Sequence, residues 1–314
     1  MSAALRADWV DAARTLAMFF IVWLHAYAAP DEIGTVVGGA IALFFLLAGY
    51  FLPAGAGVAL VRTGRLALAW LLWSVLTVVL LALAKPWFEF SWERAVGWEC
   101  AAYNTPLWFL KTLICYQLVT VALLALRVLP RYGWLVVVFL MLCSYTTSPS
   151  QHLGIRYNYY WVFLLGFCLK RVSVSALQTY LERNWWVLML VAAGVLVQPQ
   201  ALAWVARAGG LPWKHCSLPT EALAYAFLFV LIAVGISRVL PALAGKLAFC
   251  GRRMLFIYAA HSFALSPLYW WGKPEWLWNI WVPVLVLPLV ALLGWWLENR
   301  FPRFMALLLA RRLR

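Results

Sequence analysis

Residues 9–29 read WVDAARTLAMFFIVWLHAYAA, and this stretch decides the fold class of the chain. It is long enough to cross a bilayer as a helix, since a span needs about 20 apolar residues. It nevertheless carries Asp11, Arg14 and His25. Ionisable side chains at membrane depth are costly, so they usually mark an ion, proton or substrate path. The stretch therefore predicts a membrane span that also binds a polar ligand or takes part in chemistry.

The spacing of the two basic side chains favours a common ligand. Arg14 and His25 are 11 residues apart, which in a helix is three turns and a rise of about 16 Å. They therefore share one helix face, with one residue near each membrane surface, and Asp11 is placed to pair with Arg14. Such a stripe could hold both ends of one extended ligand. The alternative is that Arg14 reaches lipid headgroups while His25 is an interfacial anchor.

The composition extends this reading to the whole chain. Of 314 residues, 66% are hydrophobic and only 11% are charged, and the mean hydropathy is +0.86. Successive apolar segments then predict an all-α fold, a polytopic transmembrane helical bundle of about ten spans that forms a single domain over residues 1–314. The candidate spans are 9–29, 37–53, 66–84, 107–127, 133–147, 157–170, 185–205, 220–238, 254–272 and 278–298.

The distribution of basic residues predicts the orientation. An even number of spans puts both termini on one side, and with the N-terminus inside, 17 basic residues fall in inner segments and six in outer loops. This bias predicts that the N- and C-termini are cytoplasmic. It also explains most of the net charge of +14 without nucleic acid as a partner. The outer basic residues are Lys85, Arg94, Arg156, Arg207, Lys214 and Lys273.

Three further groups of residues are candidates for binding. Arg62 and Arg65 lie in the predicted inner loop after the second span, where two guanidinium groups can bind phosphate oxygens or simply set the topology. His261, in YAAH, lies deep in the ninth span and could line a ligand path or bond to a carbonyl. At the outer start of the fourth span, aromatic, amide and cationic side chains suit a sugar, although an aromatic belt is the usual explanation. These candidate substrate-binding residues are Tyr103, Asn104, Trp108 and Lys111.

Several kinds of site have no support in the sequence. No metal-binding spacing, nucleotide-binding glycine pattern, nucleophile elbow or carboxylate pair within the spans is present. The six cysteines are scattered, and only Cys100 and Cys216, both in predicted outer loops, leave a disulfide conceivable. We therefore expect no metal.

Taken in order, five motifs resemble acyltransferase family 3 of integral membrane proteins, especially its branch that modifies surface polysaccharides. The motifs are a basic residue and a His in the first span, FFLLAGYFL at 44–52, RxxR at 62–65, PLWFLK at 106–111 and YAAH at 258–261. The resemblance implies about ten spans with cytoplasmic termini. It also implies essential roles for Arg14 and His25 and binding of acyl-CoA by Arg62 and Arg65. Many members have Ser where this chain has Ala48, so a role for that hydroxyl is in doubt here.

The resemblance leads to a specific expectation for function. The chain is expected to move an acyl group, most simply acetyl, from cytoplasmic acetyl-CoA to a hydroxyl of a surface or exported glycan, which includes a lipid-linked saccharide. Arg14 and His25 would be catalytic, with neutral His25 as general base and an acyl-His intermediate as a variant. The cofactor-binding set is Arg14, Arg62, Arg65, Arg252, Arg253 and His261. The expected location is the bacterial cytoplasmic (inner) membrane.

A transporter or flippase of a glycan or small anionic substrate is the alternative. In that case Arg14, His25 and His261 would bind substrate or protons. Transporters often show matching halves with interrupted spans, and no such symmetry is evident in this sequence.

Overall fold

The fold is a bundle of apolar helices, seen in a computed structural model. It describes residues 8–26, 33–84, 106–146, 151–152, 155–187, 218–270 and 281–311, with a few positions between 189 and 197. The helices are α1 Asp8–His25, α2 Ile33–Tyr50, α3 Ala56–Ala84, α4 Leu107–Ala125, α5 Val128–Thr146, α6 Tyr160–Leu169, α7 Val174–Arg183, α8 Leu218–Val239, α9 Pro241–Gly251, α10 Met254–Trp270, α11 Trp281–Arg300 and α12 Pro302–Leu308. A two-residue hairpin, β1 Gln151–His152 and β2 Ile155–Arg156, precedes α6.

The predicted polytopic α-helical membrane fold is confirmed. Five helices are long and apolar enough to cross a membrane, and the bent pair α6–α7 makes a sixth if it is one span. α1 falls outside that set because its 18 residues carry three charges, Asp8, Asp11 and Arg14. The count of ten spans and the cytoplasmic termini therefore remain predictions. The expected span 185–205 lies mostly outside the described residues.

Glycines let the central helices approach closely. A Cβ on Gly49 of α2 would overlap the carbonyl of Phe163 in α6, and a Cβ on Gly166 would overlap the carbonyl of Leu46. A Cβ on Gly251, at the end of α9, would overlap the backbone of Asp11 in α1. Small residues at helix crossings are the usual device by which membrane helices pack. Gly49 therefore serves the close packing of α2 on α6, and α1 and α2 lie at the centre of the bundle.

One predicted boundary was wrong in a way that matters for the site. The third span begins at Ala56 rather than 66, so Arg62 and Arg65 lie in the first turns of α3 and not in a loop. The apolar residues around them and the turn at 51–55 let the helix start early. The predicted span 157–170 agrees with the structure to within a residue, as a 3-10 turn at Tyr157–Tyr159 followed by the ten-residue α6, but the bend of 98° to α7 was not predicted.

Candidate functional site

A cavity of about 510 Å³ opens at one end of the bundle, where α1 and α3 begin and α2 ends. We call it the arginine cavity because five arginines line it. No acidic residue is among its lining residues, which all belong to the described part of the chain. The arginines are Arg14, Arg62, Arg65, Arg252 and Arg311. The site therefore concentrates positive charge in a partly enclosed space.

Arg14 is held in place from two sides. Its Nη1 donates to Oδ1 of the fully buried Asp11 at 3.0 Å, and its guanidinium lies over the ring of Phe51 at 5.4 Å. Asp11 sits one turn earlier on α1, so the pair is intrahelical. A carboxylate in a dry environment offsets the cost of keeping a guanidinium there. Arg14 is only 15% exposed, and it faces the cavity already oriented.

Arg62 and Arg65 enter the cavity from α3. They are three residues apart and thus on one helix face. Arg62 donates to the carbonyl of Phe51, which ties α3 to the turn after α2. No hydrogen bond or ion pair engages Arg65 among the described residues. A guanidinium presented to a cavity in this way is suited to bind phosphate oxygens.

The fourth and fifth arginines come from the C-terminal part of the chain. Arg252 follows α9 and donates to Asp8 at 3.3 Å. Arg311 follows α12, which packs on α3 through a hydrogen bond from Trp73 Nε1 to the carbonyl of Leu308. Arg311 donates to the carbonyl of Arg252 at 3.1 Å and pairs with Glu298 at 3.0 Å. The last short helix therefore completes the cavity.

The lining of the cavity becomes aromatic and aliphatic away from the arginines. Phe44, Phe109 and Tyr258 line it together with leucines. Phe109 lies in the first turn of α4, at the opposite end of that helix from the arginine side, and its ring is 5.4 Å from that of Tyr258. Ala48 also lines the cavity. The site thus combines a cationic mouth with an apolar interior.

His25 and His261 form a pair one helical turn beyond Tyr258. Their ring centroids are 5.2 Å apart, and His261 is fully buried. Nδ1 of His261 lies 2.8 Å from the carbonyl of Tyr258, and since a carbonyl only accepts, Nδ1 carries the proton. Nε2 is then an acceptor, and it has no hydrogen-bond partner among the described residues. An unused acceptor in a buried site faces a costly desolvation, so this atom is a candidate contact for a ligand.

Comparison with known protein families matches residues 7–299 to the acyltransferase domain of acyltransferase family 3. The chain belongs to this family. It is therefore an integral multi-pass membrane acyltransferase, as the motifs predicted. No curated protein and no solved structure matched the chain.

The structure brings together most of the residues that the sequence singled out in this acyltransferase. Arg14, Arg62, Arg65 and Arg252 share the arginine cavity, and His261 contacts His25 rather than that cavity. His25 itself is not among the residues lining the cavity. Arg14 and His25, expected to hold the two ends of one extended ligand, thus belong to two neighbouring sites, with Tyr258 between them.

Arg253 is turned away from the other arginines. It pairs with Glu298 at 3.3 Å, lies over the ring of Phe249, and is not among the residues lining the cavity. Burial lowers its pKa, which the charge of Glu298 opposes. The ion pair ties the start of α10 to α11 outside the arginine cavity, and the donor-binding role expected of Arg253 stays a prediction.

The expected substrate-binding residues are only partly described. Trp108 and Lys111 are half-buried in the first turns of α4, and the ring of Trp108 packs on Phe109, which lines the cavity. Tyr103, Asn104, Cys100 and Cys216 lie outside the described residues. Within the described ranges, no three His, Cys, Asp or Glu side chains lie close enough together to hold a metal.

Sequence reasoning missed Arg311 and Gln117. Arg311 belongs to a terminal basic group whose position in the sequence indicates only membrane topology. Gln117 lines the cavity from α4 and lies 2.9 Å from the hydroxyl of Thr63. A buried amide in an apolar span was the available signal, since polar groups at membrane depth are usually functional or paired.

Proposed function

We propose that this acyltransferase takes an acetyl group from acetyl-CoA at the cytoplasmic face and transfers it to a glycan hydroxyl on the opposite side of a bacterial inner membrane. The observation that supports this most is the arginine cavity with the histidine pair directly beyond its apolar end. The two sites suit the two parts of a thioester donor.

The cationic mouth suits the nucleotide part of the donor. Coenzyme A carries a 3′-phosphate and a pyrophosphate, and Arg62, Arg65 and Arg252 present guanidinium groups that can bind such oxygens in a bidentate manner. The apolar interior suits the narrow pantetheine arm. In this arrangement Arg14 contacts the arm or its phosphate at the boundary between the two regions.

The histidine pair suits the transfer step. His25 takes the proton of the acceptor hydroxyl as that oxygen attacks the thioester carbonyl. The C–S bond then breaks, and the proton passes from His25 to the thiolate of coenzyme A. General-base catalysis of this kind contributes about 10²–10⁴ in rate. Nε2 of His261 would accept a hydrogen bond from the hydroxyl or from His25, which fixes their geometry.

Reaching His25 requires the donor to pass Tyr258. The ring of Tyr258 lies 6.2 Å from that of His261 and 5.4 Å from that of Phe109. A side-chain rotation at Tyr258 or Phe109 would connect the arginine cavity with the histidine pair. We infer that donor binding displaces one of these rings, and that the closed arrangement keeps water from the thioester in the absence of acceptor.

The test uses membranes that contain the chain, labelled acetyl-CoA and glycans from the same cells. Wild-type membranes are expected to release coenzyme A and to label the glycan. His25→Ala should lower kcat by about 10²–10⁴. Arg65→Gln should raise the KM for acetyl-CoA by about tenfold, because a charge-assisted bond is lost.

Arg300→Gln provides the matched control for Arg65→Gln. Arg300 is an exposed arginine at the end of α11 and does not line the cavity, so its loss should leave KM unchanged. Full activity of His25→Ala would overturn the proposed mechanism. Membranes that neither consume acetyl-CoA nor label glycan would overturn the assignment of this donor and acceptor.

A further inference from the structure

A second cavity, of about 640 Å³, lies between α5 and α6 and has no part in the proposed chemistry. α5 is kinked at Tyr132, which lines this cavity. The turn at 51–55 separates it from the arginine cavity, since Phe51 and Pro53 line that cavity and Ala54 lines this one. Both cavities are therefore at the same end of the bundle. We call the second one the α5–α6 cavity.

The α5–α6 cavity is cationic. Arg131, Lys170 and Arg171 line it, and none of its lining residues is acidic within the described chain. Nζ of Lys170 donates to the carbonyl of Leu52. Burial, together with the charge of Arg62, lowers the pKa of Lys170. An anion bound beside Lys170 would offset both the desolvation of its ammonium group and its repulsion by Arg62.

The same cavity has an apolar side that faces outward. Trp134 and Leu135 line it and are 47% and 67% exposed, and Tyr132 is also exposed. Exposed apolar side chains of this kind on a helix of a membrane bundle are suited to contact lipid tails. A soluble anion would use only the basic side of the cavity, whereas a lipid would use both sides.

The neighbouring helix indicates the depth of the cavity. α7 runs at 98° to α6, and its N-cap is Ser173, whose hydroxyl accepts from the amide of Ala176. It buries Leu181 and exposes Ser175 and Thr179. An amphipathic helix at right angles to a span lies along the membrane surface. The α5–α6 cavity, immediately before α7, is thus at headgroup level.

We propose that the α5–α6 cavity binds an anionic phospholipid, with its phosphate between Arg131 and Arg171 and an acyl chain along Trp134 and Leu135. Basic pockets between membrane helices on the cytoplasmic side are suited to such headgroups. This site is separate from acyl transfer, so it stands or fails independently of the proposed function.

The test is lipid titration of the delipidated full-length protein, followed by native mass spectrometry. The probes are dioleoyl phosphatidylglycerol, dioleoyl phosphatidylcholine and inorganic phosphate. Arg131→Gln/Arg171→Gln should weaken phosphatidylglycerol binding by about thirtyfold, since each basic side chain near an anionic lipid contributes about fivefold. Arg131→Lys/Arg171→Lys should retain most of the binding, because the charge remains.

Arg300→Gln/Arg303→Gln is the matched control, because it removes the same charge from exposed positions away from this cavity. It should change binding by less than about threefold. An equal loss in both double variants would overturn the proposal and indicate general surface attraction. Equal affinity for phosphatidylcholine would overturn it too, as would saturation by inorganic phosphate alone, which would indicate a soluble anion. The exposure of Arg131 and Arg171 means that the folded bundle should tolerate their substitution.

Discussion

Among single residues, His261 offers the sharpest test of the site. Its Nδ1–H and Nε2 have different surroundings: one bonds to Tyr258, and the other is an unused acceptor near His25. His261→Asn keeps a donor at the position of Nδ1 and loses the group at Nε2. His261→Gln places its amide near Nε2 instead. The two substitutions therefore separate the structural bond from the proposed catalytic contact.

We expect His261→Asn to unfold at the wild-type temperature while its kcat falls about tenfold, the effect of one lost hydrogen bond. The KM for acetyl-CoA should not change, since His261 does not line the arginine cavity. His261→Gln should recover part of kcat. The measurement is steady-state kinetics beside a thermal melt of each purified variant. A normal kcat in His261→Asn would mean that Nε2 contacts neither His25 nor the acceptor.

Part of the site was predictable from individual residues. A guanidinium and an imidazole in an apolar span are notable because placing ionisable groups at membrane depth costs free energy. Arg14 and His25 could therefore be found without any knowledge of packing. The contact between His25 and His261 was not predictable, because 236 residues separate them and only the packing of α10 brings them together. Arg311 was missed for the same reason.

At the scale of the helices, the close crossing of α2 and α6 predicts that the stability of the bundle depends on Gly49. Gly49→Ala should lower the free energy of unfolding by about 1–3 kcal/mol, because a methyl group there meets the Phe163 backbone, which has little room to move. Gly235→Ala in α8, where a Cβ meets nothing within 4 Å, is the matched control and should be neutral or slightly stabilising. Thermal unfolding in one detergent compares the two. Equal stability of Gly49→Ala and Gly235→Ala would contradict this prediction, because it would show that α2 and α6 can move apart without lowering the free energy of unfolding.

Helix periodicity and length explain which elements were predicted. Apolar runs of membrane length located α2, α4, α8 and α11 to within a few residues. The bend between α6 and α7 was not found, since it depends on the direction in which the chain leaves Lys170 and not on composition. The early start of α3 was missed because Arg62 and Arg65 resemble loop residues, although a helix end tolerates them equally well.

For the whole molecule, the distribution of charge predicts the orientation in the membrane. Gly34 lies in the first turn of α2 and Ser173 precedes α7, and both are exposed positions at opposite ends of the bundle. Gly34→Cys should react with an impermeant maleimide in intact cells. Ser173→Cys should react only after permeabilisation. The reverse pattern would place the arginine cavity outside, where acetyl-CoA is not available, and would contradict the proposed donor.

Three things could be established from the sequence alone. Its composition established a multi-span helical membrane protein, its helical spacing placed a basic stripe on the first helix, and the order of its motifs indicated the family. These are local properties, because the cost of burying a charge and the length of a span do not depend on distant residues. The shared cavity of five arginines, the histidine pair and the α5–α6 cavity depend on helix packing. That packing is set where glycines let backbones touch, and it joins residues from both ends of the chain into one site.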